Sequence, residues 1–115
     1  MAILKPNERL LDRYRGPGKC EVCGIWSDMR DAHHAFERGH NSWKRIDLPW
    51  NLISLGTMLG GQCQCHRRYH NGVLKRARIL EVIAARERVT VEWIIDQHTR
   101  LLLTGGKGGR NAETH

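Results

Sequence analysis

The sequence predicts a small α+β fold: short strands and a helix around a four-cysteine staple, preceded by one helix and followed by a helical hairpin. Three observations carry this reading. The chain has 115 residues, enough for one domain but with only a modest core unless something cross-links it. Its four cysteines fall in two close pairs, Cys20-x-x-Cys23 and Cys63-x-Cys65, as structural metal ligands do and scattered buried thiols do not. Apolar residues recur at helical spacing near the two ends and after Cys65, while the middle holds short strand-like runs between turn residues.

Taken in order, residues 7–15 place Leu10, Leu11 and Tyr14 on one helical face, and Gly16-Pro17-Gly18 ends that helix. Cys20-Glu21-Val22-Cys23-Gly24 has the form of a zinc knuckle, whose glycine lets the backbone amides turn back toward the thiolates. Residues 29–36 read as a strand and residues 37–44, polar and interrupted by Gly39, as a loop. Residues 50–55 fit either a strand or a helical turn, and three glycines in residues 56–61 predict a flexible approach to Cys63. A helix runs from Cys65 through Tyr69 and breaks at Asn71-Gly72. Leu74, Ala77, Ile79, Leu80, Ile83 and Ala84 predict a helix over residues 73–88, and Thr90 caps a second one that reaches about Leu103. The chain therefore divides into an N-terminal helix and linker (1–18), a core (19–72), C-terminal helices packed on it (73–104) and a disordered basic tail (105–115).

Charge and location narrow the function classes. The formal net charge is +7, which favours a polyanionic partner, DNA first; charge does not separate DNA from RNA. Lys5, Glu8, Arg9, Asp12 and Arg13 interrupt the first fourteen residues, so no secretory h-region is expected there. A cytoplasmic, reducing setting follows, in which clustered cysteines bind metal more readily than each other. No apolar run is long enough to span a membrane.

Four thiolates from Cys20, Cys23, Cys63 and Cys65 would close a zinc tetrahedron with no open position, a site that stabilises folding and does no chemistry. The histidines offer something different. His33 and His34 are adjacent, and neighbouring strand residues face opposite ways, so they serve one site only where the strand twists or ends. Taken alone, the doublet reads as two half-exposed surface histidines. The functional alternative divides labour, one imidazole holding a cation and the other taking a proton from water. His66 and His70, four apart on one helical face, can chelate one ion. A cation held by His33 and His66 would keep coordination positions for a phosphate oxygen and water.

The order Cys20-x-x-Cys23, His33-His34 with Arg38-Gly39, Asn51-Leu52-Ile53-Ser54-Leu55, then Cys65-His66-Arg67-Arg68-Tyr69-His70-Asn71-Gly72 resembles the HNH nucleases of the ββα-metal fold, over about residues 20–72. The resemblance implies a β-hairpin carrying the first histidines, a loop carrying the asparagine and a helix carrying the last histidine. It implies His33 as a ligand of the catalytic cation, His34 as general base, Asn51 as the residue that holds hairpin and loop together so that the base is oriented or, as in some relatives, contacts the metal, and His66 as the final ligand. His70 is implied as a further ligand, as in colicin-type relatives, or as a phosphate contact. Zinc-bearing relatives run from the asparagine segment straight into Cys-x-x-Cys-His. Here residues 56–62 intervene, so the resemblance supports Cys65-His66 more firmly than Cys63.

The expected activity is metal-dependent hydrolysis of DNA phosphodiesters, which the resemblance implies leaves 5′-phosphate and 3′-hydroxyl ends. Zn2+ would be structural. Mg2+ or Mn2+ would be catalytic, with Ni2+ or Zn2+ as further options. Arg38, Arg67 and Arg68 are candidate phosphate clamps, each equally readable as an ordinary surface arginine. Short chains of this kind resemble phage and mobile-element nucleases, acting as monomer or homodimer. The rival is a non-catalytic, zinc-stabilised DNA-binding module, which shares the salt-sensitive binding but not the strand cleavage. A Cys2His2 finger fits poorly because nine residues separate Cys23 from His33. A zinc deaminase lacks its His-x-Glu. Trp26, Trp43, Trp50 and Trp93 are expected in the core, Trp93 most firmly.

Overall fold

A computed structural model describes residues 7–36, 46–57 and 63–104, apart from the side chains of Leu102 and Thr104. The expectations for Arg38, Trp43 and the tail at 105–115 lie outside the described residues. The described residues form a small α+β fold with two two-stranded antiparallel sheets and four α-helices. None of these helices is long and apolar enough to cross a membrane.

The chain enters through α1 (Glu8–Asp12). Asn7 caps it, its side-chain oxygen accepting from the Leu10 amide at 3.0 Å, and Leu11 is buried beneath it. β1 (Gly18–Lys19) and β2 (Trp26–Ser27) pair across the cysteine knuckle, with Gly18 opposite Ser27 and Lys19 opposite Trp26. Gly24 makes the knuckle turn possible. It adopts φ +75°, a conformation that opposes a side chain, and its amide donates to the Cys20 carbonyl at 2.9 Å.

The second sheet pairs β3 (Arg30–His34) with β4 (Leu52–Gly56), in a register that sets His33 opposite Ile53 and His34 opposite Leu52. A single 3-10 turn, Pro49–Asn51, leads into β4, so residues 50–55 are first a helical turn and then a strand. All five residues of β4 are buried: Leu52, Ile53 and Leu55 are apolar, and Ser54 Oγ donates to the Tyr14 carbonyl at 2.8 Å. The knuckle lies along this strand: the Glu21 amide donates to the Ser54 carbonyl at 3.0 Å and the Ser54 amide to Glu21 Oε2 at 2.8 Å.

Three helices complete the fold: α2 (Cys65–His70), α3 (Arg76–Glu87) and α4 (Val91–Thr104). Ile79, Leu80, Ile83 and Ala84 of α3 and Ile94 of α4 pack with Ile53, Leu55 and three of the cysteines into one core. Each such fully buried aliphatic side chain contributes roughly 1.5–3 kcal/mol. Arg86 of α3 ties the core to the knuckle and to the start of β4. It donates to Glu21 Oε1 at 2.7 Å, the Pro49 carbonyl at 2.7 Å and the Leu52 carbonyl at 2.9 Å, and lies over the Tyr14 ring.

Three expectations need correction. Helix α3 begins at Arg76, three residues later than expected: Asn71-Gly72 opens a turn, Val73 is exposed, and Leu74 reaches the core from outside the helix. Trp93 is 42% exposed, whereas Ile94, one residue on, is fully buried. One residue rotates a helix by about 100°, and the inward stripe of α4 runs through Val91, Ile94, His98 and Leu101. Trp26 is 58% exposed because the β2 alternation turns Ser27 inward instead. Trp50 does pack against the core.

Candidate functional site

The four cysteines come together. Cys20 and Cys23 stand on the knuckle, Cys63 and Cys65 at the entry to α2, and their Sγ atoms all lie within 4.8 Å of one another. Four sulfurs at about 2.3 Å from one zinc are about 3.8 Å apart, so little adjustment is needed. Cys23 and Cys63 already approach to 3.4 Å. Cys20, Cys63 and Cys65 are buried and Cys23 is exposed, and all four are free thiols. The four are positioned to hold a metal ion.

Local sequence explains how Cys63 joins them. A Cβ at Gly56 would stand 2.7 Å from both Cys63 Cβ and Cys63 Sγ, so only glycine admits the thiol beside β4. The thiols also differ in acidity. Burial works against the Cys20 thiolate, yet backbone hydrogen bonds involving Cys23, Gly56 and Val22 outweigh it and lower its pKa. Burial first, together with the neighbouring thiols, pushes Cys63 up to about 11 and raises Cys65 further. A divalent cation shared by the four sulfurs would favour the thiolate form of each.

Against α2 lies a second cluster. His33, on β3, has its ring centroid 6.0 Å from His66, 6.5 Å from His70 and 4.3 Å from Tyr69. Helical spacing sets His66 and His70 together, Nε2 to Nε2 at 2.9 Å. Two imidazole nitrogens at about 2.1 Å from one cation, at right angles, would stand about 3 Å apart. The His33 ring is buried, and its Nε2 has no hydrogen-bond partner among the described residues. A buried ring nitrogen without a partner is uncommon in a packed core. Burial first, then the neighbouring imidazoles and Arg76, lower the His33 pKa to about 4, so it stays a neutral donor. The ligand atoms of this cluster do not converge as tightly as the four sulfurs. Among the described residues, the cysteines form the one group of three or more His, Cys, Asp or Glu whose ligand atoms do so.

His34 is the last residue of β3 and has different neighbours. Its Nε2 lies 2.8 Å from Asp47 Oδ1, with the Asp47 side chain fully buried and the His34 side chain 18% exposed. Asn51 is buried and ties the strand end to the segment before β4. Its Oδ1 accepts from the Phe36 amide at 2.8 Å, and its Nδ2 donates to the carbonyls of Phe36 and Ile46, each at 3.0 Å. Arg67 and Arg68 are exposed on α2.

Sequence reasoning missed two carboxylates here. Asp31 Oδ2 lies 3.2 Å from His66 Nδ1. Its position two residues before His33 on the same strand could have flagged it, because alternate strand residues share a face. No spacing rule marks Asp47, which meets His34 across residues 37–46.

Comparison with protein-family models, curated proteins and solved structures finds no match to this chain.

Proposed function

We propose that the protein is a metal-dependent endonuclease of the HNH type, its β3–β4 hairpin and α2 forming a ββα-metal core, that hydrolyses DNA phosphodiester bonds to 5′-phosphate and 3′-hydroxyl ends. The observation that carries the reading is the orphaned, buried Nε2 of His33 beside the His66–His70 pair, one residue from His34. His33, His66 and His70 would hold a divalent cation, Mg2+ or Mn2+ in the first instance. When bound, that cation supplies positive charge against the phosphate and the leaving oxygen.

His34 takes a proton from the attacking water, so that the nucleophile forms as it meets phosphorus. Asn51 keeps the strand end and its following segment in one arrangement through bonds to Phe36 and Ile46, and so fixes where His34 stands. Arg67 and Arg68 meet phosphate oxygens along the strand. Zinc at the four cysteines does no chemistry. Bound there, it would hold Cys65, the first residue of α2, and so help set the direction of His66.

Single-turnover cleavage of a labelled DNA duplex tests the role of His34. His34→Ala should lower the rate by on the order of 10²- to 10⁴-fold while melting temperature and zinc content stay at wild-type values. A variant that cleaves at the wild-type rate removes His34 from the mechanism. Tight, salt-sensitive binding by both proteins with cleavage by neither would instead identify a non-catalytic DNA-binding module.

A further inference from the structure

The geometry points to Asp47 as the positioning residue that fixes the tautomer of His34, an inference that rests on the reading of His34 as general base. Asp47 is 4% exposed as a residue, and its side chain is fully buried. Its two oxygens face two different groups. Oδ2 accepts the Asn7 amide at 2.7 Å, and Oδ1 lies 2.8 Å from His34 Nε2. A backbone amide only donates, and an ionised carboxylate only accepts. The proton on the neutral His34 ring must then sit on Nε2, leaving the lone pair on Nδ1 as the nitrogen that can take a proton from water.

Asn7 adds the N-terminal helix to this arrangement. Its side chain caps α1 through the Leu10 amide while its own amide holds Asp47. The start of α1 therefore anchors the carboxylate, and the carboxylate anchors the ring.

Asp47→Asn provides the decisive perturbation. Its single amide oxygen can satisfy only one of the two groups, and the Asn7 amide has no other role than donor. The oxygen goes to Asn7, the NH2 then faces His34 Nε2, and the ring must move its proton to Nδ1. Shape and packing are kept while the base nitrogen is lost.

The test uses the full chain labelled with 15N-histidine, at a pH where imidazoles are neutral. Long-range 1H–15N correlation spectra read the tautomer directly, with His34→Gln assigning the His34 signals. The wild type should show a protonated Nε2 and a bare Nδ1 at His34, and Asp47→Asn the reverse, with zinc content unchanged. In cleavage assays the same variant should lose on the order of 10²- to 10⁴-fold in kcat with KM little changed. A wild-type His34 protonated on Nδ1 overturns the inference, and so does a variant with an unchanged tautomer or the wild-type kcat. Nε2–H is also the tautomer a free imidazole prefers, so should Asp47→Asn not fold, the His34 Hε2 proton of the wild type decides: held by the buried carboxylate it should resonate well downfield and exchange slowly with water, and a fast-exchanging, unshifted proton overturns the inference. Absence of cleavage by the wild type would overturn the nuclease reading, while the spectra would still show whether Asp47 sets the ring.

Discussion

Replacing Asn51 by alanine should be among the most damaging single changes outside the cysteines, and its cost follows from three contacts. Asn51 is fully buried, and its amide satisfies the Phe36 N–H and the carbonyls of Phe36 and Ile46 at 2.8–3.0 Å. An unsatisfied buried polar group costs about 1–3 kcal/mol, so the three together, partly relieved by entering water, cost about 3–5 kcal/mol. A domain of this size has a total stability of only about 5–15 kcal/mol. At roughly 3–6 °C per kcal/mol, the melting temperature should fall by about 10–30 °C. Asn51→Asp separates shape from hydrogen bonding: it keeps the volume and the bond from Phe36 N–H but sets a carboxylate against two carbonyls, and should melt no higher than the alanine variant. The assay is thermal denaturation followed by circular dichroism at fixed zinc. A loss below 1 kcal/mol for Asn51→Ala would refute the argument that this side chain holds the strand end to the segment before β4.

Three further outcomes follow from the same structure. Cys20→Ser removes one of four converging ligands and should abolish stoichiometric zinc and the cooperative melt, since structural metal binding supplies folding energy; an unchanged melt would remove the structural-metal reading. Gly56→Ala places a methyl group 2.7 Å from Cys63 Cβ and Sγ and should cost about 1–3 kcal/mol, with weaker zinc retention in a chelator-competition assay; equal retention would show that Cys63 is not held by β4. His98 stacks on Phe36 at 4.0 Å, and burial, then the Arg76 charge, lower its pKa. The folded form therefore takes up its proton less readily than the unfolded chain, so this contribution is complete above the ordinary histidine value of about 6.5 and declines as pH falls below it. His98→Phe keeps a ring on Phe36 and should flatten the fall in melting temperature between about pH 7 and 5; an acid slope equal to that of the wild type would contradict the assignment.

The parts of the fold legible in the sequence were those that rest on short-range rules. The cysteine pairs, the glycine of the knuckle, the i, i+4 histidines and the Thr90 cap, whose hydroxyl accepts the Trp93 amide at 3.0 Å, all follow from local spacing. What spacing alone left open depends on tertiary placement. Residues 56–62 separate the asparagine segment from Cys63 in sequence, and the contact that seats the Cys63 thiol, against Gly56 of β4, has no local signature. Trp93 and Ile94 differ by one helical position, less than an apolar pattern resolves when both neighbours are hydrophobic. Asp47 reaches His34 from thirteen residues away, and Arg86 reaches Glu21 from sixty-five, distances over which no local pattern operates. Asp31 is the instructive omission, since the strand period that pairs it with His33 was available from the sequence.

The central claim is that the His33–His66–His70 cluster and His34 together cut DNA. Its most direct test is incubation of supercoiled plasmid with the purified protein in Mg2+, Mn2+ or Ni2+, and with chelator, alongside metal analysis of the same preparation. Conversion to nicked or linear DNA is expected only with added divalent cation, in protein that carries one zinc per chain as purified. Plasmid that stays supercoiled in every cation, with zinc bound and DNA bound, would contradict it.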